Sequence, residues 1–324
     1  MSWQQQIMQR LRESAHADGG WPYQRHLAAS AEPTALACLV LVGHDAGREA
    51  AQKGLQWLAH QQQNDGGVAP GALAAHPCWT TALACLAWNQ SIDNDNGEFV
   101  SYRDSRRAGI DWLLRNEGKP FRSNPAIYGH DTRLKGWSWV EGTHSWVEPT
   151  AYAILALRAA GLGDHPRTRE GVSLLLNRAM APGGWNYGNS KMFGSDLRPF
   201  PAQTGMALAA LSGEPEPDCI VQALGFLQSE LPRIRTPVSL SWGLIGATAW
   251  HARPESANEW LAECADRVGR KPPQPLFDAL LLLADASRCP LLQKPKRRNA
   301  ETPDDSEPRA QASGPVQEKN ARGI

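Results

Sequence analysis

The residues best suited to chemistry lie in one aromatic stretch between positions 128 and 187. This stretch places the ionisable side chains of Glu141, His144 and Glu148 among tyrosine and tryptophan rings. A pocket lined by aromatic rings and a few polar groups suits an apolar or carbocation-like ligand, because ring faces attract positive charge. We therefore predict a ligand-binding site formed by Trp137, Trp139, Trp146, Tyr152, Trp185, Tyr187, Glu141 and His144.

Glu148 is the candidate catalytic acid of this site. Burial at the start of an apolar helix would raise its pKa and keep it protonated. A structural interpretation is also open, because the tetrapeptide Glu-Pro-Thr-Ala occurs at both 32–35 and 148–151. Proline is favoured in the first turn of a helix, and an acidic residue there suits the positive end of the helix dipole. The repetition favours this second interpretation, which requires no chemistry.

The tryptophans also allow two interpretations. The connection from 117 to 147 is the longest between predicted helices, and long ordered connections in compact domains are often functional. Other tryptophans follow Gly-rich turns such as DGGWPY (18–23) and PGGWNYG (182–188), where a ring can cover a helix end. For any single tryptophan the helix-end interpretation is favoured, and only the cluster in one loop indicates function.

Composition excludes several classes of protein. The chain has 324 residues, with 33 Lys and Arg against 33 Asp and Glu, and this zero net charge argues against a nucleic-acid partner. No apolar run approaches the roughly 20 residues of a membrane-spanning helix, although peripheral membrane contact stays open. The polar N-terminus lacks a signal-peptide core and the six Cys form no CxxC pair, so we expect a cytoplasmic protein with reduced thiols.

The apolar pattern predicts an all-α protein in which amphipathic and wholly apolar helices alternate. A helix that is apolar on all sides must be buried. The six predicted buried helices lie at 32–43, 79–88, 148–161, 202–213, 238–250 and 275–286, and six amphipathic helices at 4–15, 48–62, 106–117, 167–180, 217–231 and 255–268. Such repetition indicates an (α/α)6 toroid, six inner helices inside six outer ones.

We place this toroid domain at residues 1–288. The remaining residues, 289–324, are polar and charged and show no apolar periodicity. Such a composition cannot bury enough surface to offset the entropy of ordering, so we predict a disordered C-terminal tail.

These repeats resemble those of the squalene-cyclase and protein-prenyltransferase β-subunit superfamily. Gln62, Gly66 and Val68 match its QxxxGxW repeat with Val in place of Trp, and HSWVEPTAYAILAL (144–157) resembles its inner-helix starts. The resemblance covers roughly residues 1–288. It implies an α/α toroid whose central cavity accepts isoprenoids and, in the terpenoid cyclases, is lined by aromatic side chains.

The catalytic motifs of that superfamily are missing. Of the cyclase DxDD motif, only Glu148 falls on an acidic position, and a lone carboxyl is a poor acid for an alkene. The only adjacent Asp pair is Asp304-Asp305 in the tail, so a Mg²⁺-diphosphate site is not expected. Asp218 and Cys219 are adjacent, which breaks the prenyltransferase zinc spacing, and we expect no metal or cofactor.

Two functions remain open at this point. The first is a terpenoid-cyclase/prenyltransferase-like toroid that binds or transforms a hydrophobic, isoprenoid-type small molecule in a central aromatic cavity. The second is a non-catalytic binding or scaffold module with the same fold. Some toroids are also glycosidases, which need two carboxylates on facing positions, and Glu141, Glu148 and Asp196 are possible members of such a pair.

Overall fold

The computed structural model describes residues 1–71, 74, 76–93, 101–122, 125–215, 218–286 and 289–292. These ranges contain twelve long helices, one short helix and a two-stranded hairpin. Their bounds are α1 (Trp3–Glu13), α2 (Ala31–Leu41), α3 (Arg48–His60), α4 (Thr80–Asp93), α5 (Arg103–Arg115), α6 (Pro125–Tyr128), α7 (Val147–Ala159), α8 (Pro166–Asn177), β1 (Lys191–Met192), β2 (Ser195–Asp196), α9 (Pro201–Leu211), α10 (Asp218–Glu230), α11 (Pro237–Ala249), α12 (Ala257–Gly269) and α13 (Pro275–Asp285).

Six helices form a closed inner ring. Each of α2, α4, α7, α9 and α11 packs against the next inner helix along the chain, and α13 packs back against α2. The amphipathic helices α3, α5, α8, α10 and α12 pack behind this ring, and α1 closes the outer layer against α12 and α13. The predicted (α/α)6 toroid is therefore confirmed. Because inner and outer helices alternate along the chain, all six inner helices point the same way and begin at one end.

In three places a tryptophan connects an outer helix to the inner helix that follows it. The Trp21 indole N–H donates to the Leu11 carbonyl in the last turn of α1, over 2.8 Å. The Trp21 backbone N–H donates to Oγ1 of Thr34 in the first turn of α2, also over 2.8 Å. These bonds give partners to a buried carbonyl at the helix end and to a buried loop amide. We call this arrangement the Trp–Thr clamp.

The clamp recurs around the ring. Trp137 bonds the Leu113 carbonyl and Thr150, and Trp185 bonds the Leu175 carbonyl and Thr204. At the position where valine replaces tryptophan, the Val68 backbone N–H still donates to Thr81 Oγ1 over 2.8 Å. Three of the thirteen tryptophans therefore have the helix-end role that the Gly-rich turns indicate.

The chain continues beyond α13 into the core. A short turn at Pro290–Leu292 buries the side chains of Cys289 and Leu291, so the packed part of the chain reaches four residues past position 288. The rest of the predicted tail, 293–324, lies outside the described residues. Among the described helices, none combines the length and the apolar character that crossing a bilayer requires.

The ring is tightest between α9 and α11. A Cβ added at Gly246 would lie 2.5 Å from the Gly205 Cα, and one added at Gly205 would lie 2.0 Å from the Trp242 carbonyl oxygen. Both contacts are with backbone, which cannot rotate away. The two helices therefore approach each other through glycine faces, and this approach positions Trp242 inside the ring.

We expect Gly246→Ala to destabilise the protein by about 3 kcal/mol, because the new methyl group forces α9 and α11 apart. The matched control is Gly225→Ala on the outer helix α10, where an added Cβ meets nothing within 4 Å. That control should stabilise by about 0.5–1 kcal/mol, because alanine is the better helix former. Urea unfolding measures the free energy of unfolding of both variants. If Gly246→Ala is no less stable than Gly225→Ala, the proposed glycine contact is contradicted.

One buried ion pair joins the two ends of the ring. Arg10 on α1 donates to both carboxylate oxygens of Asp278 on α13, over 2.6 and 3.0 Å, and Asp278 is fully buried. Arg10 also donates to the Val268 and Lys271 carbonyls at the end of α12. A single guanidinium thus connects α1, α12 and α13.

Replacing Arg10 by Ala should cost about 3–5 kcal/mol of unfolding free energy, because it leaves the Asp278 carboxyl buried without its cation. The matched control is Arg12→Ala, two residues further along the same helix. It removes an exposed cation and should change the free energy of unfolding by less than about 0.5 kcal/mol. Chemical denaturation of the two variants checks the difference. If both substitutions change the free energy of unfolding by equal, small amounts, the Arg10–Asp278 ion pair does not hold the ring closed.

Candidate functional site

Glu148 points to the axis of the ring. It lies in the first turn of α7 and accepts a hydrogen bond from Gln203 Nε2 on the neighbouring helix α9, over 3.4 Å. Its pKa is also raised by Glu32 of α2, which lies two places around the ring on the other side. A side chain that interacts with both of these helices must lie inside the ring. The residue as a whole is half-buried.

Glu32 is the second carboxyl at this end. It is the only residue of α2 whose side chain is not buried, and Tyr23 Oη donates a short hydrogen bond to its Oε2. Tyr23 lies in the connection between α1 and α2 and is itself partly exposed. The two Glu-Pro-Thr starts therefore deliver two carboxyls to one opening.

The electrostatics of the pair favour a proton on Glu148. Burial, followed by the charge of Glu32, raises the pKa of Glu148 to about 8, and the Gln203 hydrogen bond opposes this shift. Burial also raises the pKa of Glu32, against the hydrogen bond from Tyr23. Burial and Glu32 raise the pKa of Tyr23, which keeps the phenol neutral. At neutral pH Glu148 is therefore a protonated carboxyl and a possible proton donor.

Aromatic rings fill the axis one turn below the carboxyls. Tyr152 follows Glu148 by one turn and stacks on Trp79, with ring centroids 5.7 Å apart and planes at 20°. On its other side it meets Trp242 of α11 edge to face at 5.7 Å. Trp139 packs edge to face on Trp79 at 4.9 Å. Trp79 and Trp139 keep part of their surface exposed, whereas Tyr152 and Trp242 are buried.

Together these groups form a cluster where the inner helices begin, which we call the acidic funnel. Its polar groups are two carboxyls, one phenol and one amide, its wall is two indole rings, and its floor is two further rings. The members are Tyr23, Glu32, Trp79, Trp139, Glu148 and Gln203, above the floor residues Tyr152 and Trp242.

The structure separates the residues predicted from the sequence. Glu148, Trp139 and Tyr152 belong to the acidic funnel. Trp137 and Trp185 are 3% and 0% exposed, and each is held in a Trp–Thr clamp.

The other predicted residues lie around the opening. Glu141 is exposed and lines a narrow crevice with Trp79 and Pro149. The rings of Trp146 and His144 pack against each other with centroids 4.4 Å apart and planes tilted by 41°, outside the funnel contacts. Tyr187 is 51% exposed, and its carbonyl accepts the Val147 N–H at the start of α7.

Sequence reasoning missed Glu32, Tyr23, Trp79, Gln203 and Trp242. A signal for two of them exists in the clamp. Successive residues of a helix are rotated by about 100°, so a residue two positions from the clamped threonine faces the opposite side. Two positions before Thr34, Thr81 and Thr150 stand Glu32, Trp79 and Glu148, and Tyr152 stands two after Thr150. The clamp turns threonine toward the outer layer and these residues toward the axis.

Within the described ranges, no three His, Cys, Asp or Glu side chains converge as metal ligands would. The site is therefore described by its carboxyls, its phenol and its rings.

No protein-family model matches the sequence, and a search of curated proteins finds no match. Solved structures of similar fold include an inactive variant of an alpha-1,6-mannanase from Salegentibacter in complex with alpha-1,6-mannotriose. It is 11% identical with a TM-score of 0.61, and the match covers 90% of this chain and 100% of that one. An alpha-amylase from Clostridium perfringens is 10% identical with a TM-score of 0.62, covering 87% and 96%.

Another similar structure is the type II terpene cyclase MstE from Scytonema, in a variant complex with its substrate geranylgeranyl dihydroxybenzoate. It is 15% identical with a TM-score of 0.51, and the match covers 81% of this chain and 78% of that one. Identities this low relate the proteins by fold alone. The chain thus shares its α/α-toroid fold with glycosidases and with a terpene cyclase.

Proposed function

We propose that the protein binds a hydrophobic, isoprenoid-type small molecule in the acidic funnel, with Glu148 as a general acid at its polar end. The observation that carries the proposal is the position of the Glu148 carboxyl one helical turn from an aromatic cluster, where burial raises its pKa. The exposed faces of Trp79 and Trp139 offer apolar surface, and ring faces also stabilise a positive charge within about 6 Å.

The acid strength of Glu148 limits the reaction. A carboxyl with a pKa near 8 is too weak to protonate an alkene at a useful rate, because an alkene is a very weak base. The same carboxyl can protonate an oxygen atom as a carbon–oxygen bond breaks. Glu32 is placed to carry the negative charge when Glu148 holds the proton. We therefore propose a ligand with an oxygen function at the end of its apolar part.

The position of the floor limits how deeply a ligand enters. Tyr152 and Trp242 lie one helical turn, about 5 Å, below the carboxyls. A ligand therefore binds at the mouth of the ring, with the rest of a longer chain lying over the connections that lead into the inner helices. The complex of the terpene cyclase with an isoprenoid substrate supports this class of ligand in the same fold.

A second candidate is glycoside hydrolysis. It is favoured by the carboxyl pair, because glycosidases use one protonated and one ionised carboxyl, and indole rings are good stacking surfaces for sugars. The mannanase complex with mannotriose provides the matching probe. The remaining alternative is a binding or scaffold module without catalysis. In that case a ligand binds, and no turnover depends on Glu148.

Ligand binding can be followed by tryptophan fluorescence with geranylgeraniol and mannotriose as the two probes. We expect saturable binding of geranylgeraniol, weakened at least tenfold by Trp139→Leu because the funnel loses one wall. The matched control is Trp260→Leu on the outer helix α12, which should leave the affinity unchanged. Binding of mannotriose alone would select the glycoside candidate. Binding of neither probe would reject the funnel as a site for both ligand classes.

The proton on Glu148 makes a separate prediction about stability. The pKa of Glu148 in the folded protein lies above the usual carboxyl value. Its contribution to the stability of the fold is therefore complete below about pH 4.5 and is lost as the pH rises through 8. Glu148→Gln removes this loss, so the variant should be more stable than the parent by on the order of 4 kcal/mol at pH 8, with the gain shrinking toward pH 5. Urea unfolding across this pH range measures the effect.

Glu141→Gln is the control, because Glu141 is an exposed acid on the same face of the molecule. It should show no such pH-dependent gain. If the gain for Glu148→Gln does not vary between pH 5 and 8, Glu148 is ionised throughout and cannot be the proton donor.

A further inference from the structure

Arg178 is a buried cation that forms no ion pair with any carboxylate of the described residues, although the charge of Asp131 acts on it from a distance. It follows the last turn of α8 and is only 4% exposed. Its Nη1 donates to the Gly188 carbonyl, while its Nε has no hydrogen-bond partner. Among the described ion pairs, the nearby Asp131 is paired with Arg133 instead, over 2.9 Å. The negative end of α8 offsets part of the charge, but it supplies no acceptor for Nε.

His130 lies beside Arg178 and is equally short of partners. It is 5% exposed, and neither of its ring nitrogens meets the geometry of a hydrogen bond, although the Tyr128 backbone lies near enough to raise its pKa. Burial first, and the charge of Arg178 second, lower its pKa to about 4. A neutral imidazole still has one N–H to donate. Two adjacent side chains thus present buried donors without acceptors, which is an unfavourable arrangement unless something else supplies them.

His144 completes the cluster on its accessible side. Burial and Arg178 lower the pKa of its ring, which packs against Trp146 with centroids 4.4 Å apart, and the residue remains partly exposed. Gly188 lies next to both Trp146 and Arg178, and a Cβ there would stand 3.5 Å from the guanidinium. Because residue 188 is glycine, no side chain at that position covers the guanidinium.

We propose that Arg178, His130 and His144 form a binding site for an oxyanion, either a phosphate or a carboxylate group. An oxyanion supplies acceptor oxygens to all three donors and a negative charge to the unpaired guanidinium. The positive charge excludes a metal cation. This inference does not depend on the ligand of the acidic funnel, because none of its residues belongs to the funnel.

The test is a titration of the full chain with inorganic phosphate, and separately with acetate, at constant ionic strength set by NaCl. The readout is the NMR signals of the histidine rings, with the His130 signal assigned from its loss in His130→Asn. We expect at least one of the two anions to shift the His130 signal saturably. The anion that binds more tightly identifies the phosphate or carboxylate source.

Arg178→Gln should weaken the binding at least tenfold. The exposed Arg198→Gln, in the loop after β2, should leave it within twofold. If Arg178→Gln does not fold, Arg178→Lys keeps the charge but loses the planar fork, and should weaken binding at least threefold. No saturable shift with either anion in the parent protein would overturn the proposal, and so would equal affinity in the Arg178 and Arg198 variants.

Discussion

The Trp–Thr clamp is the interaction on which the site depends. The inner helices are enclosed on all sides, so the amides of the loops that lead into them meet no water and must find acceptors in the protein. Threonine in the first helical turn supplies the acceptor in four of these connections. Because threonine must then face the outer layer, the residues two positions away must face the axis. The clamp therefore places Glu32, Trp79, Glu148 and Tyr152 on the axial side of their helix starts.

The fold was largely predictable, because the distribution of apolar residues around each helix indicates which of its faces are buried. An inner helix such as α2 is apolar on every face, an outer helix such as α3 on one, and their alternation indicates two concentric layers. Closure was favoured, since the first pair of helices is no more polar than the others. The bonds that complete it, such as Arg10 to Asp278, were not predicted, because the pattern of a single helix does not show which distant side chain it contacts.

The site was predictable only in part, because tryptophan has two roles here that look alike in the sequence. Trp137 and Trp139 are two residues apart, yet one is held in a clamp and the other forms the wall of the funnel. Only the threonine thirteen residues after Trp137 distinguishes them. The pairing of Glu32 with Glu148 depends on the packing of the ring, which brings distant helices to one opening. The interpretation of Glu-Pro-Thr as a mere helix start misses this consequence, because the same position can begin a helix and face the axis.

The start of α7 separates two opposite electrostatic environments. Trp146 precedes the helix and lies against Gly188 and His144, on the side of the unpaired guanidinium, whereas Glu148 faces the funnel. The pKa shift of Glu148 is caused by burial, Glu32 and Gln203, and Arg178 is not among its causes. This independence matters, because a nearby cation would favour the ionised carboxylate and remove the proton from Glu148. The toroid thus keeps a buried positive charge and a protonated acid at the same helix start without either cancelling the other.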